Sequence, residues 1–227
     1  MTGTATPYER LAVLASQEAE VAPGLQHLEL YTMEGLVTIL WHGEPGAKGA
    51  VVACGGAMGG LLGPDTLYQE LAAVLAPRGI ATLRVGFRRP GELGRCTLDV
   101  AAAVELAVRH GADRVVTLGH SFGGAVAVRV AAALPDIVAG VVTLSTQSAG
   151  CEVAPHLAGR PLLMFHGDAD ELLPVGASET VRSLAGGGEL VVLPGAGHLL
   201  SGATAPVLER LGRWLPAVLD GRVRDDT

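Results

Sequence analysis

Residues 119–123 read Gly-His-Ser-Phe-Gly, a lone serine between two glycines, with the apolar run "RVVTLG" ending in it and the small-residue run "AVAVRVAAAL" following. A strand that turns at once into a helix forces the turning residue into strained backbone and presses the residues two before and two after it together. Only very small side chains fit there, which is a physical reason for Gly119 and Gly123. The turn projects the serine hydroxyl into the open at a helix N-terminus, where N–H groups and the helix dipole favour developing negative charge. Ser121 is therefore a candidate nucleophile; the bland alternative is a plain strand-to-helix turn that contains a serine. A hydroxyl needs a base within hydrogen-bond reach, and the base needs a carboxylate to orient it. His198 follows the strand-like "ELVVLPG", and Asp168 and Asp170 follow the strand-like "PLLMFHG". Asp168, closer to its strand, is suited to tying down the loop by accepting backbone N–H groups, and Asp170, two residues further out, is better placed to reach a histidine. The chain order Ser121, Asp170, His198 is one that acyl-transfer triads use. An oxyanion would take one donor from the Phe122 N–H and a second from the loop "GGAMGG", at Gly56 or Ala57. His120 is expected to pack and His166 to be a hydrogen-bonded core residue.

These residues need a frame that gathers them. "QHLELY" (26–31) and "LVTILWH" (36–42) predict an antiparallel hairpin. From Ala50 onward strands and helices alternate: strands at 50–54, 80–85, 114–119, 139–145, 161–167 and 189–195, helices at 64–78, 97–111, 122–134, 177–184 and 205–219. That alternation predicts a mainly parallel α/β sheet with helices on both faces, and catalytic groups beyond the carboxyl ends of its strands. Only about fifteen residues separate Ser145 from Pro161, too few for a sizeable cap domain, so an open site is expected. The reading is of one domain over 1–227, with 1–25 an N-terminal extension and 220–227 a fraying tail.

Composition bounds the rest. The 227 residues are 49% hydrophobic and 4% aromatic, so the core is expected to be Val, Leu and Ala, as suits strands buried on both faces. With 17% charged residues and a mean hydropathy of +0.40 the chain is not intrinsically disordered. A net charge of −7, with Lys48 the only lysine, argues against nucleic-acid or anionic-membrane binding. Cys54, Cys96 and Cys151 are odd in number and widely spaced, which suggests reduced thiols and no zinc site. The N-terminus has no basic region and no apolar segment reaches spanning length, so a cytoplasmic protein is expected. Neither a cofactor nor a metal is implied: no G-x-G-x-x-G fits "GGAMGG", and no G-K-[ST] occurs. The sequence leaves the oligomeric state open.

With "GHSFG", "HGDADELLP" and "GAGH" in this order, residues 26–219 resemble the α/β-hydrolase superfamily, and within it the compact, capless dienelactone-hydrolase-like and serine-esterase branch. The resemblance implies a sheet of about eight strands without a large cap. "HGDADELLP" is similar to the family's H-G-x-x-D-x-x-x-P stretch, in which Asp170 holds the place of the acid. "LRVGFRRPG" (83–91) is similar to a strand-and-loop stretch of such hydrolases. Dienelactone hydrolases proper carry a cysteine where Ser121 stands, so their substrate is not carried over. Cys54-Gly55 replaces the His-Gly that often opens the oxyanion loop. Arg84, Arg88 and Arg89 could steer a carboxylate-bearing substrate, but pairing with carboxylates such as Glu92 or Asp99 is favoured. The expectation is a hydrolase of a small-molecule ester or thioester of a small to medium acyl group. The alternatives are an acyltransferase using the same three residues and a non-catalytic binding protein on the same fold.

Overall fold

The computed structural model describes residues 5–44, 46–157 and 159–223. Nine strands form one sheet, in the order β1-β2-β3-β5-β4-β6-β7-β8-β9. The strands are β1 (Ala15–Ala22), β2 (Leu25–Thr32), β3 (Gly35–His42), β4 (Gly49–Cys54), β5 (Ile80–Gly86), β6 (Arg114–His120), β7 (Val138–Leu144), β8 (Leu162–Gly167) and β9 (Glu189–Leu193). β1 to β3 are antiparallel neighbours, β3 pairs antiparallel with β5, and the strands from β4 to β9 run parallel. The helices are α1 (Pro7–Leu11), α2 (Leu67–Leu75), α3 (Leu93–Arg109), α4 (Phe122–Ala133), α5 (Val175–Ala185) and α6 (Thr204–Leu219).

Alternation along the central strands explains the two layers. In β4, Val51 and Ala53 face the core under α2 and α6, and Ala50, Val52 and Cys54 face the core under α3 and α4. Both sets are buried, so β4 reads as a continuous apolar run, as a parallel strand covered on both faces must. Alanine dominates the buried stripe of α3, at 101, 102, 103 and 107, which lets that helix pack close to the sheet and to α4.

The hairpin read from the sequence is present as β2 and β3. The strand ahead of it was not legible: β1 lies inside the segment read as an extension, and it makes the sheet nine strands. Every residue of "ASQEAEVA" is exposed. Its backbone ladder to β2, from Ala15 opposite Tyr31 to Glu20 opposite Gln26, holds it in place without an apolar face. The glutamates on this edge strand, Glu18 and Glu20, oppose its pairing with another chain. α3 begins at Leu93, a turn earlier than the pattern suggested. Of the tail read as fraying, 224–227 lie outside the described residues. Gly221 and Arg222 close a turn onto the carbonyls of Val218 and Ala217.

The topology also makes the crevice. β4 leads through α2 to β5 on one side, and β6 leads through α4 to β7 on the other, with α2 and α4 on opposite faces of the sheet. β4 and β6 are adjacent, with Cys54 paired to Gly119, so the loops leaving their carboxyl ends diverge and open a cleft between them.

Candidate active site

β6 runs into α4 with a single residue between them, Ser121, at φ 56° and ψ −119°. Positive φ is costly for a residue with a side chain, and the neighbours show what enforces it. A Cβ on Gly119 would lie 1.9 Å from the carbonyl oxygen of Gly123, and one on Gly123 would lie 2.3 Å from that of Gly55. Gly124, which the sequence reading did not use, is under the same constraint, since a Cβ there would meet Thr146 Oγ1 at 2.2 Å. The backbone of the turn is anchored by the Ser121 N–H to Leu144 O bond, 2.8 Å, and by the Gly124 N–H to Ser121 O bond, 3.0 Å. The Phe122 N–H is the first of α4, where N–H groups have no intrahelical acceptor.

The loop after β4 lies against this turn. A Cβ on Gly56 would stand 3.7 Å from Ser121 Cβ and 3.6 Å from His120 Nδ1, so the Gly56 backbone is directly beside the serine. Gly56 and Ala57 both line the same cleft as Ser121, a cavity of about 510 Å³. Gly59 N–H donates to Gly56 O at 2.9 Å and closes the loop into a tight turn.

Asp170 and His198, the candidate acid and base, stand in the loops after β8 and β9. Gly167 is where these loops meet: a Cβ there would lie 2.0 Å from Ala196 O, which accepts the Ala169 N–H at 3.1 Å. Asp168 accepts the Gly195 N–H at 2.6 Å, the loop-tying role its position suggested. The Asp170 side chain is shielded from solvent; its Oδ1 accepts the N–H groups of Leu172 (2.9 Å) and Leu173 (2.8 Å), and its Oδ2 accepts His198 Nδ1–H at 2.8 Å. Burial pushes the Asp170 pKa up, but the Leu173 N–H, the His198 imidazole and the Leu172 N–H outweigh it. The carboxyl is held below its usual range, ionised and able to orient the ring.

With Nδ1 committed to Asp170, His198 Nε2 takes no hydrogen bond among the described residues, and the ring lines the cleft with Ser121. No hydrogen bond joins Ser121 Oγ to this imidazole among the described residues, whereas the histidine–aspartate contact is closed. Such contacts often tighten only with substrate present.

Two further histidines brace the arrangement. His120 is buried, and burial pushes its imidazole down to about 4, so the ring is neutral at pH 7. Its Nε2–H donates to the backbone carbonyl of His198 at 3.0 Å, and the two rings lie 4.9 Å apart. The ring thus packs, as expected, and pins the loop that carries His198. His166 is a satisfied core residue: Ser178 Oγ lies 2.7 Å from Nδ1, and Nε2 donates to Leu173 O at 2.9 Å. Its Nε2 also stands 3.2 Å from Asp170 Oδ2, a contact the sequence reading missed, although His166 precedes Asp170 by only four residues.

The arginines of the β5 loop are engaged elsewhere. Arg88 is buried against Asp99, 2.5 Å from Nε to Oδ1, and Arg89 donates Nε–H to Glu34 O at 3.0 Å. Arg84 approaches His42 Nε2 at 2.7 Å, and Glu92 pairs with Arg95 instead. All three cysteines are buried and unpaired, and burial raises each thiol pKa. Among the described residues no cluster of three or more His, Cys, Asp or Glu side chains could hold a metal ion, and no helix is long and apolar enough to cross a membrane.

This sheet order, with a strained serine after the strand next to β4 and a compact loop where a cap would stand, is the α/β-hydrolase fold in its form without a large cap domain. A family model described as the alpha/beta hydrolase fold matches residues 88–159. Among solved structures, Est1E from Butyrivibrio proteoclasticus is similar at 17% identity and TM-score 0.74, covering 86% of this chain and 99% of that one. Dienelactone hydrolase from Anabaena variabilis is similar at 22% identity and TM-score 0.71, covering 88% and 96%. An α/β serine hydrolase homologue from Coxiella burnetii is similar at 20% identity and TM-score 0.68, covering 82% and 95%. No curated protein matches the chain.

Proposed function

We propose that the protein is a serine hydrolase that cleaves an ester or thioester of a small to medium acyl group through an acyl-enzyme. One observation carries the reading: a solvent-shielded, ionised Asp170 side chain holds His198 Nδ1 at 2.8 Å, on the rim of the cleft that contains the strained Ser121. Ser121 Oγ attacks the carbonyl carbon as its proton passes to His198 Nε2. The tetrahedral oxyanion takes hydrogen bonds from the Phe122 N–H and from that of Gly56 or Ala57. The imidazolium, stabilised by Asp170, returns the proton to the departing oxygen or sulfur. Water, deprotonated by the same ring, attacks the acyl-enzyme and releases the acid and free Ser121. Similar solved structures include a dienelactone hydrolase and an esterase, which supports acyl chemistry on this fold.

The test is covalent. A fluorophosphonate is expected to label the intact chain once, at Ser121, and Ser121→Ala is expected to abolish both labelling and ester turnover. Labelling that persists in the variant would remove Ser121 from the mechanism.

A further inference from the structure

The cleft around Ser121 is walled by the loop from Gly55 to Pro64 on one side and by Leu172 and Leu199 on the other. Of its fifteen lining residues none is Asp, Glu, Lys or Arg. Its only ionisable side chains are His198 and the neutral, buried His120. Five of the ten loop residues are glycines, so much of that wall is backbone, and Met58, Leu61 and Leu62 supply its side chains. Four lining residues are large apolar side chains left open to solvent: Met58 (94% exposed), Leu172 (72%), Leu199 (55%) and Leu62 (48%). Exposed large hydrophobics gathered at one cleft are unlike single ones scattered over a surface, and they mark a place where apolar material binds. Arg88 is held by the Asp99 carboxylate, Arg89 donates to the Glu34 carbonyl, and Arg84 is buried against His42. The chain as a whole carries −7, which opposes the approach of anions.

We infer that the substrate is neutral at both ends: an apolar acyl group on an uncharged alcohol or thiol. This rests on the hydrolase reading above and narrows it. It excludes acyl groups ending in a carboxylate, because nothing in the cleft would replace the hydration that the carboxylate loses. It excludes acyl-coenzyme A thioesters on the same ground, since their phosphates meet no cation along the cleft.

The test uses pairs that share the scissile bond and the acyl length and differ in charge. S-hexanoyl-N-acetylcysteamine and hexanoyl-coenzyme A present the same thioester, without and with phosphates. p-Nitrophenyl hexanoate and the p-nitrophenyl half-ester of adipic acid present acyl chains of equal length, without and with a terminal carboxylate. The neutral member of each pair is expected to show a kcat/KM at least about tenfold higher, the scale on which pocket chemistry discriminates. Leu172→Arg, at an exposed rim position that can change without disturbing the core, is expected to shift both ratios toward the charged member by several-fold. Equal or inverted ratios in the wild type, or ratios unmoved by Leu172→Arg, overturn the inference. If Ser121 is labelled by a fluorophosphonate but neither neutral substrate is turned over, this inference alone falls. If labelling and turnover are both absent, the hydrolase reading falls and takes this inference with it.

Discussion

Asp170 shows how one side chain is given a single orientation. Oδ1 is spoken for by two backbone N–H groups of its own loop, so Oδ2 alone faces His198. In Asp170→Asn the amide oxygen would stay on those N–H groups, leaving the NH2 group facing Nδ1. A donor there forces Nδ1 to accept, moves the ring proton to Nε2, and leaves the base unable to take a proton from Ser121. The expected outcome is a fall in kcat of about 10³ to 10⁴, with little change in KM, measured on a p-nitrophenyl ester. A loss below about tenfold would separate Asp170 from the chemistry.

At the scale of elements, the strand-turn-helix unit and the β4 loop are locked by backbone contact. Gly119, Gly123 and Gly55 meet main chain to main chain, and a methyl group at the first two would overlap a carbonyl oxygen. Gly119→Ala and Gly123→Ala are each expected to destabilise the fold by more than about 3 kcal/mol, or to prevent folding, because neither wall of the contact is a flexible side chain. Urea unfolding of each variant checks this; a midpoint near that of the wild type would mean that the turn relaxes freely. The comparison control is Gly60→Ala, whose Cβ would meet nothing within 4 Å, although its φ of 106° still strains an alanine. It is expected to cost clearly less than either of the others.

For the molecule as a whole, acid should be the weak side. His120 has its folded pKa near 4, below the unfolded value of about 6.5, so the unfolded chain binds a proton first as pH falls. Stability is then present in full above about pH 6.5 and lost progressively down to about pH 4, by something of the order of 3 kcal/mol from this residue. His42, also lowered to about 4 by burial and by Arg84, acts in the same direction. Asp170, with a lowered carboxylate pKa, adds its loss only below the ordinary aspartate range. Thermal melts at pH 5 and pH 7 are expected to show a lower Tm at pH 5, with a smaller gap in His120→Gln. An equal gap in that variant would assign the acid sensitivity elsewhere.

The parallel strands, the glycines around Ser121, the placing of Asp170 rather than Asp168 within reach of His198, and the hairpin of β2 and β3 were legible because each is a local pattern: an apolar run, a spacing, a turn residue. β1 was not, because an edge strand held by its backbone ladder leaves no apolar period in its sequence. Nor was the meeting of the loops after β8 and β9 at Gly167, or the approach of His166 to Asp170, since both depend on contacts between side chains and carbonyls brought together only by strand order. The sequence by itself determined which residue types stand at which strand ends. The tertiary structure decided which of them meet, because β4 and β6 become neighbours with their helices on opposite faces only when the sheet is assembled.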